Sequence, residues 1–178
     1  TGELGFEVIL PNEQAIDLWN KAVTEGAQPI GLAARDTLRL EAGMNLYGLE
    51  MDETISPFEC NMGWSVSWED EDRDFFGKNG LLKQKESNDL KELVGIITNE
   101  KAILRQGQKI HLENENHARG VVTSGTYSPT LKKPIALVRM PKTDSKSCYA
   151  EIRGKKIEAT IGSPKFIKEG QTIFKERA

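Results

Sequence analysis

Hydrophobic and polar positions change their spacing once along this chain, and the change divides it in two. At the start, Phe6, Val8 and Leu10 alternate with Glu7 and Ile9, which predicts a strand over residues 6–10. Pro11 stops that strand, and Asn12 is a good N-cap for a helix over residues 13–24. Within the helix Ile16, Trp19 and Val23 recur at helical spacing, and Ala15, Leu18 and Ala22 widen the stripe. One face is therefore expected to pack on a sheet. A second helix is predicted over residues 33–42, with Gly43 placed where a left-handed cap residue is common. Leu38, Glu41 and Ala42 share one side of it, and Arg35 and Arg39 share another. Residues 61–68 alternate around Met62, Trp64, Val66 and Trp68, and residues 78–91 are polar and helix-prone.

From about Leu93 the spacing becomes that of short strands. Candidates cover residues 93–98, 109–113, 120–124, 135–140, 148–153 and 156–161, punctuated by Gly107, Gly120, Gly125, Pro141 and Gly154. Arg153, Gly154 and Lys155 read as a tight hairpin. Six short strands in under 90 residues predict a small barrel or sandwich. The expected fold is α+β, with a mixed α/β portion over residues 1–88 and the small antiparallel β domain over residues 89–178. The tail over residues 163–178 has no clear period.

Composition narrows the classes. The 178 residues are 38% hydrophobic and 29% charged, ordinary values for a soluble globular protein. A net charge of -3, with no basic run longer than Lys132–Lys133 or Lys155–Lys156, gives no reason to expect nucleic acid or an anionic membrane as partner. No apolar stretch approaches the roughly 18 residues that mark a transmembrane helix. Cys60 and Cys148 could pair, but reduced thiols in a cytosolic protein are the simpler reading. The first residue is Thr1 and sits on the edge of a motif, so the chain is expected to be a piece of a longer one.

Conventional catalytic patterns give little. His111 and His117 stand six apart with no third ligand beside them, and a turn explains them more simply than a metal. The acidic run over residues 69–72 could hold a cation. It lacks a glycine at the sixth position of a calcium loop, so a solvated hairpin tip is preferred. The glycines of Thr1-Gly2-Glu3-Leu4-Gly5 precede the predicted strand and do not link a strand to a helix, which excludes a dinucleotide fingerprint.

Five ordered segments carry a resemblance. Thr1-Gly2-Glu3-Leu4-Gly5-Phe6-Glu7 resembles the T-G-E-x-G-[FVY]-E motif of the glycine-cleavage T-protein family. The thirteen residues from Gly31 to Gly43, GLAARDTLRLEAG, are similar to that family's longest signature. Leu46-Tyr47-Gly48, Ser56-Pro57-Phe58-Glu59 and the run from Val122 to Leu131, VTSGTYSPTL, continue the match in the same order.

The resemblance implies an aminomethyltransferase of the glycine cleavage system. Such an enzyme takes the aminomethyl group on the lipoyl arm of the H protein, releases ammonia and forms 5,10-methylenetetrahydrofolate. It uses tetrahydrofolate as acceptor and no metal, and it acts in the cytoplasm, or in the mitochondrial matrix of a eukaryote. The implied fold is three domains ringed around a folate channel, of which this chain supplies parts of the first two and the whole C-terminal β-barrel. By motif, the family's two acceptor-binding residues fall on Glu7 and Arg35. The aspartate that promotes folate attack falls outside these 178 residues, so the chain alone is expected to be inactive.

Physical chemistry supports the assignment of Glu7 and Arg35. A carboxylate can accept two adjacent N–H groups of the pterin edge at once, the fork geometry of strong bidentate pairs. Glu7, between apolar neighbours in a predicted strand, needs a partner if it faces inward. Arg35 stands near a helix start, where the dipole disfavours a cation, so it is expected to have another task. A structural Glu7–Arg35 pair is the competing account. Asp36 and Arg39 are read as helix support, and Tyr47 as packing or channel wall. Two other classes remain as alternatives: the folate domain of a related demethylating enzyme, and a non-catalytic folate-binding or iron–sulfur-assembly protein of the same fold. The latter carry a K-G-C-Y-x-G-Q-E type motif that this sequence lacks.

Overall fold

The structure is a computed structural model and describes residues 1–70, 72–87, 89–113, 115 and 117–178. Three helices lead into a barrel: α1 (Asn12–Thr24), α2 (Leu32–Glu41) and α3 (Lys78–Glu86). The strands that follow are β1 (Lys91–Ile97), β2 (Lys109–His111), β3 (Gly120–Ser128), β4 (Lys133–Pro141), β5 (Ser147–Ile152) and β6 (Lys155–Gly162). Among the described residues these six close an antiparallel barrel in the order β1-β4-β3-β2-β5-β6, with β1 pairing both β4 and β6. The expected choice between sandwich and barrel is resolved as a barrel. A two-strand ribbon, β7 (Ile167–Lys168) and β8 (Gln171–Thr172), follows the barrel.

The strand sequences explain the closure. In β4 the run Pro134-Ile135-Ala136-Leu137-Val138 is apolar on both parities, as a strand buried on both faces must be. Ala136, Val138 and Met140 join Ile96, Leu104, Ile110, Val122 and Ile161 in one apolar cluster of the barrel. Ile135 and Leu137 join Leu93, Leu40 of α2 and Phe166 of the tail in a second cluster. The barrel thus has an apolar inside and one apolar outer wall, and α2 with the tail covers that wall. Arg153 and Gly154 both have positive φ, which closes the tight β5–β6 hairpin read from the sequence. Gly125 allows a close crossing: a Cβ there would lie 2.4 Å from the backbone oxygen of Leu104.

Between α2 and the barrel, residues 61–68 do not extend. They follow one short 3-10 turn at Pro57–Cys60 and contain another at Gly63–Ser65. The acidic run contains Glu71, which lies outside the described residues. Of the two histidines, His111 is buried in β2, with Nε2 3.1 Å from Glu151 Oε2.

Both cysteines are free and buried, so they form no disulfide. Burial pushes the Cys148 thiol up to about 12, and burial likewise raises that of Cys60. An ordinary thiol, near 8.5, is partly thiolate at pH 8. A thiol-specific disulfide reagent is therefore expected to label neither cysteine of the native chain at pH 8, and both after denaturation. Rapid native labelling at either position would contradict this placement.

Candidate functional site

The segment carrying Glu7 corrects the sequence reading. Residues 6–10 form no strand, because no neighbouring strand pairs with them among the described residues. Phe6 and Ile9 are each 98% exposed, and Glu7 is exposed between them. Its flanking residues Val8, Ile9 and Leu10 instead face Ala15, Leu18, Trp19 and Ala22 of α1 across an apolar groove of about 490 Å³. Helix α1 differs from expectation in the same way. It starts at Asn12, with Pro11 at the cap and no side-chain cap bond, and it buries none of its residues on a sheet. Alternation and amphipathic spacing report a surface that prefers cover, and they do not say which segment supplies it.

The other end of the same segment is anchored. Gly2 has φ +81°, and a Cβ on it would lie 2.1 Å from the Cβ of Ala42 at the end of α2. Only glycine tolerates both that conformation and that approach. Glu3 Oε1 accepts from the backbone N–H of Glu169 at 3.1 Å, tying the segment to the turn between β7 and β8. The signature T-G-E thus fastens the start of the Glu7 segment to the base of α2.

Helix α2 is built to hold its far end out. It runs Leu32–Glu41, one residue earlier than predicted, and stops where Gly43 takes φ +70°. Met44 N–H donates to Arg39 O at 2.8 Å and Gly43 N–H to Leu40 O at 3.0 Å, the paired bonds of a Schellman stop. The C-terminal residues Arg39, Leu40 and Glu41 are buried against the barrel, while Leu32 to Asp36 are exposed. Arg35 therefore projects from a rigid support into solvent. No ion pair joins Glu7 and Arg35 among the described residues. The two side chains are an open carboxylate acceptor and an open guanidinium donor.

Sequence reasoning found only part of the polar set that holds α2. Arg39 does support the helix, its Nε donating to Asp36 Oδ1 at 2.7 Å. Arg39 Nη1 also donates to Glu50 Oε2 at 2.9 Å, and Nη2 to Ser124 Oγ at 2.9 Å. Glu41, Glu50, Ser124 and Ser128 were not singled out, although all four are buried. The available signal was charge inside an apolar stripe: Leu38-Arg39-Leu40-Glu41 alternates charges with leucines on the helix end that Gly43 then closes.

Comparison with known proteins follows this architecture. Residues 1–70 match the family model described as the GCVT N-terminal domain, and residues 91–168 match the glycine cleavage T-protein C-terminal barrel domain. An aminomethyltransferase of Methylococcus capsulatus (strain Bath) is 47% identical over 174 residues, covering 98% of this chain and 48% of that protein. One from Legionella pneumophila (strain Corby) is 48% identical over 173 residues, covering 97% of this chain and 48% of its own length. The crystal structure of glycine cleavage system aminomethyltransferase T from Bartonella henselae superposes with a TM-score of 0.79 at 32% identity, covering 93% of this chain and 46% of that one. The chain spans about half the length of the curated relatives it matches.

A closed C-terminal barrel, preceded by the helical end of an N-terminal domain that presents an exposed arginine, defines a two-part half-molecule. The chain belongs to the glycine-cleavage T-protein family, and it corresponds to the C-terminal half.

Proposed function

We propose that the complete protein carrying this chain is the tetrahydrofolate-dependent aminomethyltransferase of the glycine cleavage system. It takes the aminomethyl group from the lipoylated H protein, releases ammonia and forms 5,10-methylenetetrahydrofolate. The observation that carries this reading is identity of 47–48% to aminomethyltransferases over at least 97% of the chain. Glu7 binds the pterin edge, accepting two N–H bonds, and Arg35 grips a polar group of the folate. Both side chains are exposed and free of a mutual ion pair, the state expected of groups whose partner is a ligand. Two free cysteines fit a reducing compartment, the cytoplasm or a mitochondrial matrix.

The test is Glu7→Gln in the complete protein. Glutamine keeps the shape but turns one acceptor oxygen into an NH2 donor that faces a ring donor. Hydrogen bonds to charged groups contribute about 1.5–3 kcal/mol, so tetrahydrofolate affinity is expected to fall roughly ten- to a hundredfold. Because the proposed partner of Glu7 is the ligand, the ligand-free melting temperature is expected to stay within about 2 °C of wild type. Calorimetric titration beside melting curves reads both. Unchanged affinity in a well-folded variant removes Glu7 from the site.

A further inference from the structure

We propose that Arg39 and Glu41 are positioning residues. They lock α2 to the β3 arm of the barrel and so fix the direction in which Arg35 points. The proposal rests on the reading of Arg35 as a folate ligand.

Two clamps grip the same helix end. In the first, the Arg39 guanidinium, 5% exposed, donates to Asp36 Oδ1, Met44 O, Glu50 Oε2 and Ser124 Oγ at 2.7, 3.2, 2.9 and 2.9 Å. In the second, the Glu41 carboxylate, 3% exposed, accepts from Ser128 Oγ, from Thr130 N–H at 3.3 Å and from Thr130 Oγ1 at 3.1 Å. Ser124 and Ser128 both belong to β3, and Thr130 lies in the turn after it. Four residues of strand separate the two serines by about 13 Å. Arg39 and Glu41 are two residues apart, so their side chains leave the helix roughly 200° from each other. Bonds on nearly opposite sides of a helix, made to points well separated on one strand, oppose rotation about the helix axis as well as tilt. Apolar contact through Leu40 alone is non-directional and would permit that rotation.

Rotation is the motion that matters for Arg35. It lies one turn before Arg39, about 6 Å along the axis and on the same side. Its guanidinium reaches about 6 Å from the axis, so turning the helix by 10° displaces it by about 1 Å. A displacement of that size at a binding group can cost up to about a hundredfold in rate. Ser124 is next to the one irregularity in the β3–β4 ladder, a register shift between Val122 and Ser124. A bulge re-aims a side chain, which is how a β3 residue can face a helix lying outside the barrel.

The experiment compares Ser124→Ala and Thr130→Val with Arg35→Ala in the complete protein, reading Kd and KM for tetrahydrofolate, kcat and melting temperature. Thr130 is exposed, so Thr130→Val keeps its fold whatever Ser124→Ala does. Arg35→Ala is expected to weaken tetrahydrofolate binding at least tenfold. Each barrel variant is expected to raise Kd and KM by about three- to tenfold, with a smaller change in kcat. Ser124→Thr and Thr130→Ser, which keep the hydroxyl, restore binding. A residue that only holds the fold together would lower the melting temperature and leave Kd of the folded protein unchanged. If Arg35→Ala loses affinity while both folded barrel variants bind as wild type, the positioning role is overturned and the site stands. If Arg35→Ala itself binds as wild type, the site fails and the positioning role fails with it.

Discussion

The pure 178-residue chain, supplied with aminomethyl-loaded H protein and tetrahydrofolate, is expected to form no methylenetetrahydrofolate above the protein-free blank. This expectation rests on the proposed activity and on where the chain leaves its polar groups. Transfer of a methylene to folate needs the acceptor nitrogen held against the carrier arm and a group placed for proton movement. Holding reactants in place contributes effective molarities on the order of 10⁵–10⁸ M, so losing the second wall of a site costs most of the rate. Here Glu7 and Arg35 stand exposed, and α1 buries none of its residues. The family resemblance also puts the expected aspartate outside these residues. The assay is single-turnover formation of methylenetetrahydrofolate, with the complete protein as positive control. Turnover by the chain alone would falsify the site as drawn here, because catalysis would then need groups other than these two.

The same uncovered surfaces explain what could be read from the sequence and what could not. The six barrel strands were legible because each makes its own pattern and pairs with another segment of the same chain. The run from Pro134 to Val138 is apolar on both parities, and β4 is buried on both faces. Residues 6–10 show an equally good alternation and form no strand, since pairing is a property of two segments and the sequence displays one. Helix α1 was found almost to the residue, but the sheet expected under its stripe is not there. The polar clamps were hidden for a different reason. Ser124, Ser128 and Thr130 are small and hydrophilic, and the second half of β3 reads as loop until Arg39 and Glu41 arrive to satisfy them. A pair separated by 85 residues in sequence leaves no local period. The candidate site itself was legible only through signature segments. Its geometric sense, Gly2 seated on Ala42 and Arg35 projecting from a clamped helix, came from the structure.

Replacing Arg39 is expected to have the largest effect on stability of any single side chain in the described α2 region. Arg39→Met keeps an apolar stem and much of its contact while removing four donated bonds and the charge. Among the described residues, Glu50, 0% exposed, would then hold a buried carboxylate with only the Leu46 N–H, at 3.0 Å, as its hydrogen-bond donor. Removing one partner of a buried pair costs about 3–5 kcal/mol, chiefly through the charge left behind. For a chain of this size that lowers the melting temperature by roughly 6–20 °C. The double variant Arg39→Met with Glu50→Leu separates charge from shape. It removes both charges, so it is expected to be more stable than Arg39→Met alone, and far more stable than two independent losses would make it. Thermal unfolding of the four proteins completes the cycle. Strict additivity, or an Arg39→Met protein melting within 2 °C of wild type, would mean that the charge pair does not hold α2 in place. Ser124→Ala, which removes one bond of the four and leaves the pair intact, is expected to cost much less stability while still moving folate affinity. That separation between a large stability loss at Arg39 and an affinity loss at Ser124 distinguishes a helix that is merely attached from one that is aimed.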